Sequence, residues 1–169
     1  MSDRNLSAFG ADMYLAVTSA RAGAIRGEAA ALEHADEIVV RGWCWGMAAN
    51  TDAASRGGGQ GGTPARRALR PFIVDKHLDR ASTSLMAVLV NNDKVKGAVL
   101  TMRKAGEGQQ DFLRICLSDA YLADIECVAD DEGNVVERLT FSYKHAQVEY
   151  RVQQPSGQVG ETSTFDVDA

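Results

Sequence analysis

The chain has 169 residues, 45% apolar and 24% charged, with 18 basic and 23 acidic side chains and a net charge of −5. This length and balance predict one globular domain with its own core and exclude a chain disordered throughout. A pI near 5.2 argues against nucleic acid as the main partner, since phosphate binding needs clustered Lys and Arg, and no apolar run approaches the ~18 residues of a spanning helix.

Residues 1–12 hold no basic segment followed by an apolar run, so no cleavable secretory signal is expected and folding in the cytoplasm is. Residues 13–18 (MYLAVT) read as a first strand. Residues 19–35, with Gly23, Gly27 and several alanines, read as a connection with room for a helical turn. Residues 36–47 (DEIVVRGWCWGM) predict a stronger strand. On it Trp43 and Trp45 share a face as core anchors and Cys44 points the other way, with Ile38, Val40 and Gly42. The face of Ile38, Val40, Gly42 and Cys44 is free of charge, and a strand apolar or small on both faces is covered on both or lines a subunit contact.

Residues 48–70 form a long loop whose centre, Arg56 to Gly62, has too little apolar surface to bury. Residues 71–74 suggest a short strand, and Ser82 an N-cap for a helix over residues 83–91 with Leu85, Met86, Leu89 and Val90 on one face. Residues 96–104 and 111–118 alternate as a hairpin, and residues 120–128 read as a further strand. After a polar turn at residues 130–134, residues 135–152 alternate over a long span, with a parity switch near His145 that predicts a bulge or bend. The polar stretch after Gln154 reads as loosely held. Some seven strands and one helix, without βαβ alternation, predict a mainly β fold: a closed antiparallel β-barrel or a two-sheet sandwich, with one flanking α-helix and a long extended loop. The domain is expected over residues 12–155, with flexible tails at 1–11 and 156–169.

No pattern of catalytic chemistry stands out. The glycines after Arg56 are followed by Thr63 and Pro64 rather than the Lys of a phosphate loop. The acidic turn at residues 130–134 lacks the spacing of a calcium loop, and His34, His77 and His145 fall in no zinc pattern. There is no G-x-S-x-G, and neither a histidine nor a basic pair adjoins Cys44 to activate it. Cys44, Cys116 and Cys127 are odd in number and widely spaced, which gives neither a disulfide framework nor a CxxC pair. The reading is therefore not an enzyme, with no cofactor and no metal.

Several ordered blocks together resemble the hemolysin-coregulated protein (Hcp) family, the tube protein of type VI secretion systems. Residues 12–15 (DMYL) resemble its opening strand, residues 25–28 (IRGE) its I-K-G-E turn, and residues 36–46 its E-I-x-V-x-x-W-x-W-G block. Residues 78–86 resemble its D-K-A-S-P-x-L helix start, residues 98–113 its hairpin, and residues 136–150 its last long strand. The resemblance covers about residues 12–155. It implies a homo-hexameric ring, rings stacked into an inner tube that is expelled by a contractile sheath behind a spike tip protein, and effector proteins carried in the lumen. Such a protein is cytoplasmic when assembled and is then delivered outside the cell or into a target cell, without membrane insertion. The family's extended loop, which contacts neighbouring subunits or rings, corresponds here to residues 48–70, with Gly57, Gly58, Gly59, Gly61, Gly62, Arg66 and Arg67 as the ring-stacking residues. If the Trp pair fills the core, Cys44 faces the lumen and is the expected cargo contact. The alternative is a monomeric barrel that binds a small ligand in its interior.

Overall fold

The structure, a computed structural model, describes residues 11–49, 67–104, 109–154 and 159–169. Twelve strands are present among them: β1 (Ala11–Ser19), β2 (Gly23–Ile25), β3 (Ile38–Val39), β4 (Gly42–Cys44), β5 (Met47–Ala49), β6 (Arg67–Leu69), β7 (Phe72–His77), β8 (Lys94–Lys104), β9 (Asp111–Ala129), β10 (Val135–Ser142), β11 (His145–Gln153) and β12 (Val159–Asp168). One α-helix, α1 (Ser82–Val90), and a 3₁₀ turn at Leu32–His34 complete them.

The class is the expected one, mainly β with a single helix among the described residues. The pairings do not establish the closed barrel. Strand order runs β2-β1-β8-β9-β10-β7-β4, with β3 against β1, β11 against β9, and β12 against β11. All pairings are antiparallel, and β5 and β6 form a separate two-stranded ribbon.

Two predicted strands, residues 111–118 and 120–128, are one 19-residue strand, β9. It bends at Asp119, whose φ of 50° lies in the left-handed region that Asp tolerates better than most residues. Opposite the bend the partner breaks between Ser142 and His145, so β10 pairs with the second half of β9 and β11 with the first. The parity switch expected near His145 is this break.

The segment predicted as one strand at residues 36–47 is three short ones. Val40 donates to the Met13 carbonyl at 2.9 Å and Arg41 to the Asp75 carbonyl at 2.8 Å, so the chain leaves β1 and joins β7 at that point. The hand-over shifts the parity. Ile38 and Val40 are buried, and Trp43 and Trp45 pack against the same core, so the two Trp do not oppose Ile38 and Val40 as expected. Gly42 and Cys44 stay on the outer face.

Helix α1 begins one residue earlier than predicted. Ser82 is its first residue rather than its cap, and its buried residues are Ser82, Leu85 and Val88. Val90 is 81% exposed. A nine-residue helix makes only two and a half turns, so its hold on the sheet comes from that narrow stripe. Residues 159–168, expected in a flexible tail, form β12, paired with β11 from His145↔Asp168 to Arg151↔Thr162.

The core is filled by Leu15, Ile38, Phe72, Val74, Leu85, Leu100, Leu117, Leu139 and Phe141, each at 1% exposure or less. At about 1.5–3 kcal/mol per buried large apolar side chain, this cluster is the main driving force of folding. No buried side-chain nitrogen or oxygen among the described residues lacks a hydrogen-bond partner.

Candidate assembly and cargo surfaces

Cys44 lies on β4, exposed, on the face turned away from the core. Register places it in one row with Ile73 of β7, Thr140 of β10 and Asp124 of β9. The next row holds Asp75, Arg138 and Glu126. Arg138 grips Asp75 through two nitrogens at 2.9 and 3.2 Å, a bidentate pair on the surface. The hydrogen bond to Asp75 raises the Arg138 pKa further. The surface around Cys44 is thus a four-stranded wall with a mixed charge pattern.

The tryptophans point inward, and each is tied by its indole N–H. Trp43 donates to the Met102 sulfur at 3.3 Å and stacks on Phe72 with centroids 6.0 Å apart. Trp45 donates to the Tyr143 hydroxyl at 2.6 Å, and that hydroxyl donates to the Arg70 carbonyl at 2.9 Å. Both rings are half-buried rather than sealed in the core. Trp45 therefore does a second job: through Tyr143 it fixes the root of the β5–β6 ribbon, where Arg70 also donates to the Gly46 carbonyl at 2.9 Å.

The long loop opens as that ribbon. Met47 faces Leu69, Ala48 faces Ala68 and Ala49 faces Arg67, with nearly every side chain exposed. Arg67 reaches the Asp168 carbonyl at 3.4 Å. Gly57, Gly58, Gly59, Gly61, Gly62 and Arg66 lie outside the described residues.

Two polar clusters were not legible in the sequence. In the first, His34 is buried and its ring stacks on Tyr14 at 4.5 Å. Its Nδ1 lies 2.9 Å from Glu37 and its Nε2 3.1 Å from Asp111. Arg103, also buried, binds Asp111 at 3.2 Å and pairs with Glu33. Burial, then the charge of Asp12, raises the Tyr14 pKa. The cluster straps residues 32–37 across β1 and β8 and borders an open cleft of about 280 Å³ that reaches Arg114, Glu149 and Arg151. The His34–Glu37 spacing of three was the one sequence signal, and it gives no hint of Asp111.

In the second cluster, Lys76 is fully buried and binds Glu137, Asp79 at 2.8 Å and Ser82 at 2.9 Å. Ser82 also donates to Glu137 at 2.5 Å. This network couples the first turn of α1 to β7 and β10. No group of three or more His, Cys, Asp or Glu side chains among the described residues is placed to hold a metal, and no helix among them is long and apolar enough to cross a membrane.

The pattern of the family described as "Type VI secretion system effector, Hcp" matches residues 14–150. Protein hcp1 of Pseudomonas aeruginosa is 29% identical over 84 residues, 48% of this chain and 52% of that protein, so the match spans about half the relative's length. Among solved structures, Hcp1 from Salmonella typhimurium is 25% identical with a TM-score of 0.71, covering 94% of each chain. A structure described as that of a type six secretion system protein superposes with a TM-score of 0.82 at 20% identity, over 94% of this chain and 96% of that one, which shows the fold alone. With the pattern running through most of the chain and the strand arrangement agreeing with it, the chain belongs to the Hcp family of type VI secretion system proteins.

Proposed function

We propose that this protein is a subunit of the type VI secretion inner tube: it closes into hexameric rings, the rings stack, and effector proteins travel in the lumen. The family match over residues 14–150 carries this reading. Hcp proteins are structural secretion proteins rather than a known class of enzyme. The barrel is closed in this reading by residues 38–44, supported by the bonding of that segment to β1 at one end and β7 at the other. Its partners are further copies, the spike tip protein, the sheath and the cargo.

The wall of β4, β7, β10 and β9 faces the lumen, and Cys44 on it touches cargo; its exposure on a mixed-charge surface supports this. The ribbon of β5 and β6 carries the stacking contacts through Arg66, Arg67 and the glycines between them and the first strand, supported by its exposed side chains. The ring is cytoplasmic when assembled and leaves the cell when the sheath contracts.

Light scattering on a size-exclusion column, with negative-stain imaging of the same peak, tests the reading. Rings with an open centre are expected. A clean 18.1 kDa monomer at high concentration would refute it. Given rings, Cys127 is replaced by Ser and Cys44 is labelled with a bulky maleimide. Lost cargo capture with rings intact is expected, and unchanged capture removes Cys44 from the cargo site.

A further inference from the structure

The outer face of the β4-β7-β10-β9 wall is unevenly charged. In the row of Cys44, Ile73 and Thr140 are neutral and Asp124 is the one charged residue. In the next row Arg138 stands between Asp75 and Glu126. The third row, His77 with Val136 and Val128, holds no carboxylate, and Val128 is 57% exposed.

The one guanidinium on these rows is already committed. Arg138 binds Asp75 through two nitrogens at 2.9 and 3.2 Å. Asp124 and Glu126 are exposed, and among the described residues neither lies within ion-pair distance of a cation. They are two positions apart on β9, so both point to the same side, about 7 Å from each other. Uncharged surface borders them, Thr140 and Ile73 on one row and Val128 on another.

We infer that the cargo held against this wall presents a basic surface, a stretch of Lys and Arg whose charged groups meet Asp124 and Glu126. This rests on the proposed lumen and names the class of protein that fills it. With His77 neutral, three carboxylates less one guanidinium leave −2 on the wall of one subunit, and six walls facing one lumen −12. A channel lined by one sign of charge focuses its field and concentrates partners of the opposite sign. An acidic cargo face would set like charges against each other, and that juxtaposition selects against the wrong partner. Lys and Arg also suit the neutral strip, because their aliphatic stems lie along apolar surface while the charged head reaches a carboxylate. Exposed ion pairs of this kind are individually weak and screened by salt, so the hold is reversible, as it must be for a cargo that leaves the tube.

The test uses rings of the full chain and two probes: cytochrome c, a small basic haem protein, and its succinylated, acidic form. Each is mixed with rings at low salt, and haem absorbance is read in the ring peak of a size-exclusion column. The basic form is expected to co-elute and to be released by high salt, and the acidic form to pass through. Asp124→Lys with Glu126→Lys lowers retention of the basic form about tenfold. Glu28→Lys with Glu161→Lys, exposed positions off the wall that change the net charge equally, leaves most of it. Asp124→Asn with Glu126→Gln, close in shape to the parent, gives the same loss by neutralisation and serves where the lysine variant forms no rings. Rings that retain both forms alike, or neither, or that lose the basic form equally with the wall and off-wall reversals, would overturn the basic-cargo inference and leave the ring standing. A parent chain that stays monomeric overturns both.

Discussion

Replacing Lys76 by Met tests the buried network under α1. Lys76 is fully buried, Glu137 has 1% of its side chain exposed and Asp79 10%, so two carboxylates share one ammonium away from water. Removing the ammonium leaves both carboxylates facing each other without a cation. Breaking a buried ion pair from one side costs about 3–5 kcal/mol. For a chain of this size that lowers Tm by roughly 6–20 °C, at ~2–4 °C per kcal/mol. Glu137→Gln is the matched control. It keeps the volume, and Lys76 still binds Asp79 at 2.8 Å and Ser82 at 2.9 Å. The cost there is that of weakened hydrogen bonds, about 1–3 kcal/mol. The two variants should therefore differ, with Lys76→Met the worse. Urea unfolding at pH 7, repeated at two protein concentrations to separate folding from assembly, measures both. Equal losses within ~0.5 kcal/mol, or a Lys76→Met loss below ~1 kcal/mol, would refute the view that one lysine neutralises a doubly acidic pocket.

Gly27→Ala should destabilise, by about 1–3 kcal/mol, because a Cβ there would lie 2.5 Å from the Glu37 carbonyl oxygen and 2.7 Å from the Ile38 Cα. Gly42→Ala, with nothing within 4 Å, should be near neutral, and thermal melts that fail to separate the two would contradict the close approach. His145 has its pKa raised chiefly by its hydrogen bond to Asp168, so its contribution to holding β12 is full below its unfolded value of about 6.5 and is lost as pH rises through the folded value. Amide exchange in β12 should speed up over that window and lose its pH step in His145→Gln; an unchanged step in the variant assigns it elsewhere. Thiol mapping should label exposed Cys44 before Cys116, which is half-buried and whose thiol burial pushes up. Equal labelling rates for the two would show that the β8–β9–β11 surface opens readily.

The alternation in residues 96–118 and 135–152 was sufficient to find β8, the first half of β9, and the run that divides into β10 and β11, because a two-residue period survives whatever the strands pair with. The Trp-Cys-Trp run reads as two side chains on one face and one on the other, since adjacent residues on a strand point to opposite faces, but it does not say which face the rest of the segment shares. The sequence fell short where a neighbour decides the outcome. Local pattern joins residues 36–47 into one strand; the change of partner from β1 to β7 at Val40 and Arg41 divides it and shifts its parity. Residues 159–168 are polar and have no strong strand pattern, yet pairing with β11 satisfies their backbone and makes β12.

The sequence by itself determined the class, the single helix and the family, because those rest on periodicity and on ordered blocks of residues that need no coordinates. Only the tertiary structure decided the polar clusters and the edges. His34 meets Asp111 across 77 positions and Lys76 meets Glu137 across 61, and nothing local in a chain specifies which distant charge will share a buried pocket. That β2 and β12 are edge strands of one sheet follows from strand order, which no local pattern supplies. Strand order is set by which apolar faces pack together when the core forms.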